Sequence, residues 1–217
     1  MKTIALFARH PICSLDGCNG IMGTLYPDYK FKLFNEKHIV NGFFDECEMM
    51  IFPGGLGDDA SFYRIFADDR NKVVKDYIDN GGKYLGICMG AYWGDKDFFD
   101  LLTDARVEQY IKRPGTDTRR PHPKAIDIKW KEHEGKMYFY DGCCITGDES
   151  KFEVIARYKG NNDPMAIIQN RVGLIGCHPE ADRYWYMSKR NPYMAKHWNH
   201  GFNKTLLREF VDYLITK

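Results

Sequence analysis

The first half of the chain switches repeatedly between the two periods that separate strands from helices. Residues 3–7 (Thr3-Ile4-Ala5-Leu6-Phe7) begin with an apolar run of the kind a fully buried strand makes. Residues 17–25 read as a loop leading into a helix, and residues 29–35 alternate apolar and polar like a second strand. Glu48 to Phe52 is a short apolar run stopped by Pro53-Gly54-Gly55, a turn signal. Asp58-Asp59-Ala60-Ser61 then reads as a helix N-cap. Residues 72–80 place Val73, Val74, Tyr77 and Ile78 on one helical face, with Gly81 positioned as the C-terminal cap. Tyr84-Leu85 follows as another strand. This β–α–β succession predicts an α/β fold, a mostly parallel sheet with helices on its faces.

The second half changes texture. Residues 112–124 are rich in Pro and Arg without periodicity and read as a surface loop. Residues 126–130 and 137–140 flank Glu132-His133-Glu134-Gly135, which predicts an antiparallel hairpin extending the sheet. Residues 154–158, 165–168 and 172–176 are further strands, the last leading to His178. Residues 205–215 form an amphipathic helix with Leu206, Phe210, Val211 and Leu214 inward. There is no internal repeat and no low-complexity linker, and 217 residues suit a single domain over 1–217.

Composition excludes several classes. A formal net charge of +1 offers no argument for nucleic acid or for an acidic partner. A chain with 44% hydrophobic and 15% aromatic residues has the makings of a globular core. The apolar run Ile4 to Ala8 is too short for a signal segment, and no stretch approaches a membrane span. Seven cysteines without paired spacing argue against a disulfide framework. A reducing, cytoplasmic compartment is expected, which a reactive thiol would also require.

Two motifs carry chemistry. Gly86-Ile87-Cys88-Met89-Gly90 has the small-x-nucleophile-x-small pattern of a strand-to-helix elbow, where a sharp turn exposes the nucleophile. A thiol there would face unpaired N–H groups and the positive end of a helix dipole. Further on, LIGCHPE supplies His178 as a base and Glu180 as a carboxylate to orient it. Either motif alone is better read as a buried cysteine or a surface histidine. Together, each after an apolar strand, they fall where an α/β sheet places its reactive residues.

Other candidates carry less chemistry. Arg119 and Arg120, near Lys112-Arg113-Pro114, are candidates to clamp an anionic part of a substrate, although a solvated loop accounts for them as well. Tyr92 and Trp93 are candidates for the pocket wall, and equally for the core. His197 and His200 share helical spacing but have no further ligand cluster, so no metal is expected. Cys143-Cys144 reads as small apolar packing, and strand alternation turns Cys177 away from His178.

The elbow and the His178-Pro179-Glu180 motif resemble the class I glutamine amidotransferase superfamily. The run IFPGGLGDDASFY…YIDNGGKYLGICMGAYWG is most similar to the amidotransferase-like domain found at the N-terminus of some biotin–protein ligases. Met137-Tyr138-Phe139-Tyr140-Asp141-Gly142 and Val154-Ile155-Ala156-Arg157-Tyr158 also look like that family's later strands, so the resemblance spans about residues 45–182. It implies a flavodoxin-like three-layer sandwich and a triad of Cys88, His178 and Glu180. It also implies an oxyanion hole from the backbone N–H groups of Met89 and of the turn holding Gly54 and Gly55. No cofactor is implied.

The departures bear on the substrate. Glutamine-hydrolysing members usually carry a polar pair just after the second elbow glycine; here those positions are Ala91 and Tyr92. No biotin-ligase catalytic region and no synthetase region accompany the motifs. The implied activity is cleavage of an amide C–N bond in a small-molecule substrate, with any ammonia acceptor on a separate synthetase or acceptor-binding subunit. Two alternatives stand beside it: a catalytically silent binding or regulatory module, and another thiol hydrolase such as a peptidase. The residues after the elbow point away from free glutamine, towards a larger amide.

Overall fold

The computed structural model describes residues 1–8, 12–67, 69–187 and 192–217. The predicted buried run becomes β1 (Lys2–Phe7), which pairs in parallel with β2 (Tyr29–Phe34) on one side and β3 (Met49–Phe52) on the other. β4 (Lys83–Ile87) extends the parallel set beside β3, and β11 (Val172–Ile175) completes it beside β4. Outward from β11 the sheet turns antiparallel through β10 (Pro164–Gln169), β9 (Glu153–Tyr158), β6 (Lys124–Trp130) and β7 (His133–Phe139). The order is β2-β1-β3-β4-β11-β10-β9-β6-β7, one sheet of nine strands.

Helices cover both faces. Gly173 of β11 lies under Phe210 and Leu214 of α5 (Phe202–Ile215), so α5 packs on that face. α1 (Leu15–Leu25) joins it there, with Arg208 of α5 donating to the Thr24 carbonyl. The other face carries α2 (Asp59–Ile65), α3 (Arg70–Asp79) and the one-turn α4 (Met89–Tyr92). An aromatic cluster fills that side: Phe7, Phe52, Phe62, Phe66, Trp93 and Phe99 are all buried and in ring contact. The result is the expected helix–sheet–helix sandwich.

Local signals place the helix ends. Ser14 caps α1 by accepting from the Gly17 N–H at 3.0 Å, and Asp58 caps α2 by accepting from the Ser61 N–H at 2.8 Å. Gly81, at φ +105°, follows the end of α3 as its pattern predicts. The hairpin is tighter than its sequence suggested. Trp130 pairs directly with His133, so Lys131 and Glu132 alone make the turn, and Lys131 adopts φ 50°. α5 likewise begins earlier than residue 205.

A second, two-stranded sheet of β5 (Ala105–Gln109) and β8 (Cys143–Gly147) has no counterpart in the sequence reading. β5 carries Arg106 and Glu108 among few apolar positions, and its partner lies far along the chain, so no local period announces it. Cys143 and Cys144 pack within this unit as buried apolar groups.

Candidate active site

The parallel strands deliver every candidate reactive residue to their carboxyl edge. β4 ends at Ile87 and α4 begins at Met89, leaving Cys88 at the bend with φ 51° and ψ −105°. That backbone costs a non-glycine residue about 1–3 kcal/mol and persists only where its surroundings hold it. They do so here: the Cys88 N–H donates to the Ile175 carbonyl at 2.8 Å, and the buried Tyr84 hydroxyl donates to the Gly90 carbonyl at 2.6 Å. A Cβ at Gly86 would collide with the Gly90 carbonyl, and one at Gly90 with the Phe52 carbonyl. The elbow glycines are therefore required by close backbone approach. α4 is one turn long. A single turn has little dipole to offer, which leaves His178 as the principal electrostatic partner of the sulfur.

His178 follows β11, and its N–H donates to the Tyr138 carbonyl at 2.9 Å. Its Nδ1 lies 2.9 Å from Glu180 Oε1, and the Glu180 side chain is fully buried. Glu180 Oε2 is also buried and has no hydrogen-bond partner among the described residues. The imidazole packs edge-on against Tyr138 and Trp185, at 5.8 and 5.3 Å between centroids. Burial alone lowers the imidazole pKa, but the charges of Cys88 and Glu180, with side-chain hydrogen bonds to both, push it up to about 10.

This balance makes a prediction with a definite sign. In the intact protein the His178 proton should persist from neutral pH to about pH 10. Cys88→Ala or Glu180→Gln removes one supporting charge, so the titration midpoint of the ring, followed by NMR, should fall. Because burial then opposes the remaining charge, an unchanged midpoint in both variants would exclude this ion-pair arrangement.

The turn at residues 53–55 faces the same point. A Cβ at Gly54 would collide with His178 Cε1 and sit 3.5 Å from Cys88 Cβ, so Gly54 abuts both side chains. Ser14 N–H donates to the Gly54 carbonyl and Leu56 N–H to the Ile12 carbonyl, each at 2.8 Å, which pins the turn. Among the described residues the N–H groups of Gly54, Gly55 and Met89 have no acceptor. They are available to a developing oxyanion.

Two clefts meet at Cys88. One, of about 500 Å³, is walled by Tyr138, Tyr140, Trp185, Leu15 and Leu56, and contains His178. The other, of about 530 Å³, holds Tyr92, Gln109, Lys112, Asp141, Asp58 and Asp59. Cys88, Gly55, Leu56 and Tyr140 border both. A larger cleft of about 830 Å³, lined by Glu48, Tyr77 and Gly82, opens at the opposite end of β3 and β4, away from these groups.

One expectation about the surroundings is corrected. Arg119 and Arg120 are exposed and line neither cleft at Cys88; Arg119 donates instead to the Arg113 carbonyl at 2.9 Å. From that basic loop it is Lys112 that reaches the polar cleft. Tyr92 does line that cleft, but its hydroxyl donates to the Asp141 carbonyl at 3.1 Å and is already committed. Trp93 serves both readings, buried in the aromatic cluster with one edge on the cleft. No metal-binding group that includes His197 or His200 occurs among the described residues.

The other thiols differ from Cys88. Cys177 points away from the site, with Sγ 3.8 Å from the Tyr158 hydroxyl, as strand alternation predicts. Burial pushes the Cys47, Cys143, Cys144 and Cys177 thiols up. A hydrogen bond with Cys13 lowers Cys18, which is itself buried. Cys13 borders the aromatic cleft, a position the sequence did not signal. Tyr138, Tyr140 and Trp185 were also missed as site residues. Their only sequence trace is aromatic clustering, Tyr138-Phe139-Tyr140 before the last strands and Tyr184-Trp185-Tyr186 after the histidine motif.

With this geometry in view, the relatives are informative. Residues 14–113 match the family model described as the N-terminal region of biotin-protein ligase. Over its full length the chain superposes on a glutamine amidotransferase from Thermotoga maritima with a TM-score of 0.70, covering 100% of this chain and 99% of that one at 9% identity. The chain has the class I glutamine amidotransferase-like fold. A second structural match is the PurLQS structure from Thermotoga maritima, with a TM-score of 0.61 and 14% identity over 95% of this chain and 100% of that one.

Sequence relatives of the amidotransferase-like chain are more distant in length. A biotin–protein ligase of Schizosaccharomyces pombe is 27% identical over 161 residues, which is 61% of this chain and 25% of the ligase. An uncharacterized protein of Chlamydia muridarum is 26% identical over 148 residues, 59% of this chain and 56% of its own. The PurQ subunit of phosphoribosylformylglycinamidine synthase from Leptospira interrogans is 27% identical over 177 residues, 66% of this chain and 74% of the subunit. The chain thus spans about half of one of these relatives and a quarter of another.

Proposed function

We propose that this chain, acting as a single domain, is a cysteine-dependent amidase or amidotransferase that cleaves a C–N amide bond through a thioester on Cys88. The observation that carries the reading is the convergence of three groups on one point. A strained, buried cysteine meets a histidine held 2.9 Å from a fully buried carboxylate, and both abut a turn whose backbone N–H groups have no acceptor among the described residues.

The chemistry follows from those positions. The Cys88 sulfur attacks the amide carbonyl carbon, and the carbonyl oxygen gains charge facing the N–H groups of Gly54, Gly55 and Met89. The C–N bond breaks as the His178 imidazolium gives its proton to the departing nitrogen. Water then attacks the thioester, His178 takes its proton, and the acid and the free thiol are released. Glu180 holds the ring and stabilises its charged form. An amidotransferase would pass the released nitrogen to an acceptor on a separate synthetase subunit. The similarity to a PurQ subunit and to the PurLQS structure supports this arrangement. All seven cysteines are free thiols, which suits the cytoplasm, and no helix of the described residues is long and apolar enough to cross a membrane.

Limiting iodoacetamide at neutral pH, followed by peptide mapping, tests the core of this reading. Cys88 should be alkylated first, since its sulfur is hydrogen-bonded to the His178 imidazole, whose positive charge favours the thiolate. Earlier labelling of Cys13, Cys18 or Cys143 would contradict it. One observation favours a catalytically silent binding module: the post-elbow Tyr92 hydroxyl gives its proton to the Asp141 carbonyl and has none left to donate to a substrate. Fast Cys88 labelling without Cys88-dependent cleavage of any amide would decide for that module.

A further inference from the structure

The two clefts that meet at Cys88 are chemically unlike, and His178 belongs to only one of them. This asymmetry constrains the substrate. When a thiolate adds to an amide, the carbon carries four substituents: sulfur, oxyanion, nitrogen and the acyl chain. Cys88 and Gly55 lie on the border between the clefts, which uses the first two positions. One remaining substituent must then point into each cleft. Only the nitrogen needs a proton as the C–N bond breaks, and the proton is on His178. The nitrogen therefore departs into the cleft of Tyr138, Tyr140 and Trp185, and the acyl chain occupies the polar cleft.

Resting on the thioester reading above, we infer that the substrate is an N-substituted amide whose released amine carries a bulky apolar or aromatic substituent. Ammonia would leave a cleft of about 500 Å³ empty, whereas an alkyl or aryl amine fills it against three aromatic side chains. The same cleft holds Asp16 at the first turn of α1, which complements the ammonium formed on release. Aromatic faces attract such cations as well. Across the border, the polar cleft is lined by Lys112 and by Asp58, Asp59 and Asp141, so an acyl part bearing both a carboxylate and an ammonium finds partners for each. The expected weakness towards free glutamine thus arises from its leaving group. Its amino-acid part is accommodated.

A series with one acyl group tests this: glutamine, γ-glutamylmethylamide and γ-glutamylbenzylamide, with ammonia or amine release followed and Cys88→Ala as the blank. The benzylamide should exceed the methylamide at least ~10-fold in kcat/KM, with glutamine lowest, since apolar groups in a matching pocket discriminate on that scale. A second measurement is independent of turnover. Benzylammonium should protect Cys88 from iodoacetamide at concentrations about tenfold below methylammonium, and where none of these three amides is cleaved this comparison decides what the aromatic cleft takes. Leu15→Trp, at a half-exposed position in the wall of the aromatic cleft, should reduce the benzyl-over-methyl ratio. Equal kcat/KM values, equal protection, or a ratio unmoved by Leu15→Trp would overturn the assignment. If amide cleavage still requires Cys88 in that case, the thioester reading stands and only the leaving-group assignment falls. If Cys88 is neither labelled first nor needed for cleavage, the thioester reading itself has failed.

Discussion

His178→Ala should lower Cys88-dependent amide cleavage by at least ~10²-fold, because it removes the proposed proton donor to the departing nitrogen and the proposed base for the attacking water. The loss should appear in kcat, and the rate of Cys88 alkylation at neutral pH should fall with it, since the ring's positive charge faces the sulfur. Glu180→Gln should cost less. The amide keeps a side chain beside Nδ1 but removes the charge that favours the imidazolium. Equal rates in His178→Ala and the parent protein would place the base elsewhere. A thermal melt of each variant separates this effect from unfolding.

Phe52→Ala should destabilise the fold by about 3–5 kcal/mol, the usual range for deleting a large buried aromatic side chain. Phe52 is fully buried at the end of β3, with its ring 5.3 Å from Phe7, Tyr84 and Phe99 and 5.7 Å from Trp93. Its carbonyl also lies where a Gly90 side chain would be, so the same residue supports the elbow. Urea unfolding would measure the loss as a shift in midpoint at constant slope. Phe52→Leu, which retains much of the volume, should cost under about 1.5 kcal/mol. Leu33→Ala, half exposed on the edge strand β2, should stay within about 0.5 kcal/mol. A loss in Phe52→Ala no larger than that of Leu33→Ala would contradict the packing described.

Most elements were legible because their signals are local. The apolar run of β1, the face of Val74 and Ile78 in α3 and the inward stripe of α5 each need only a few neighbouring positions. α1 was harder to read, since Gly17, Gly20 and Gly23 weaken a helical pattern. Gly20 has a tertiary reason: its side-chain position is occupied by the Glu180 main chain. β5 and β8 were not legible at all, because neither strand has meaning without its distant partner.

The candidate site residues divide in the same way. By itself the sequence determined the elbow at Cys88, the His178–Glu180 pair and the glycine turn at residues 53–55. Each is a short motif whose backbone demands restrict which residue types can stand there. Only the tertiary structure decided what surrounds them. β11, last of the strands along the chain, inserts between β4 and β10 and so sets His178 beside Cys88. The same sheet order brings Tyr138 and Trp185 to one side of the sulfur and Lys112 to the other, and leaves Arg119 and Arg120 in solvent. Those neighbours are far apart in the chain. Their meeting depends on the long-range strand order, to which no short run of residues is sensitive.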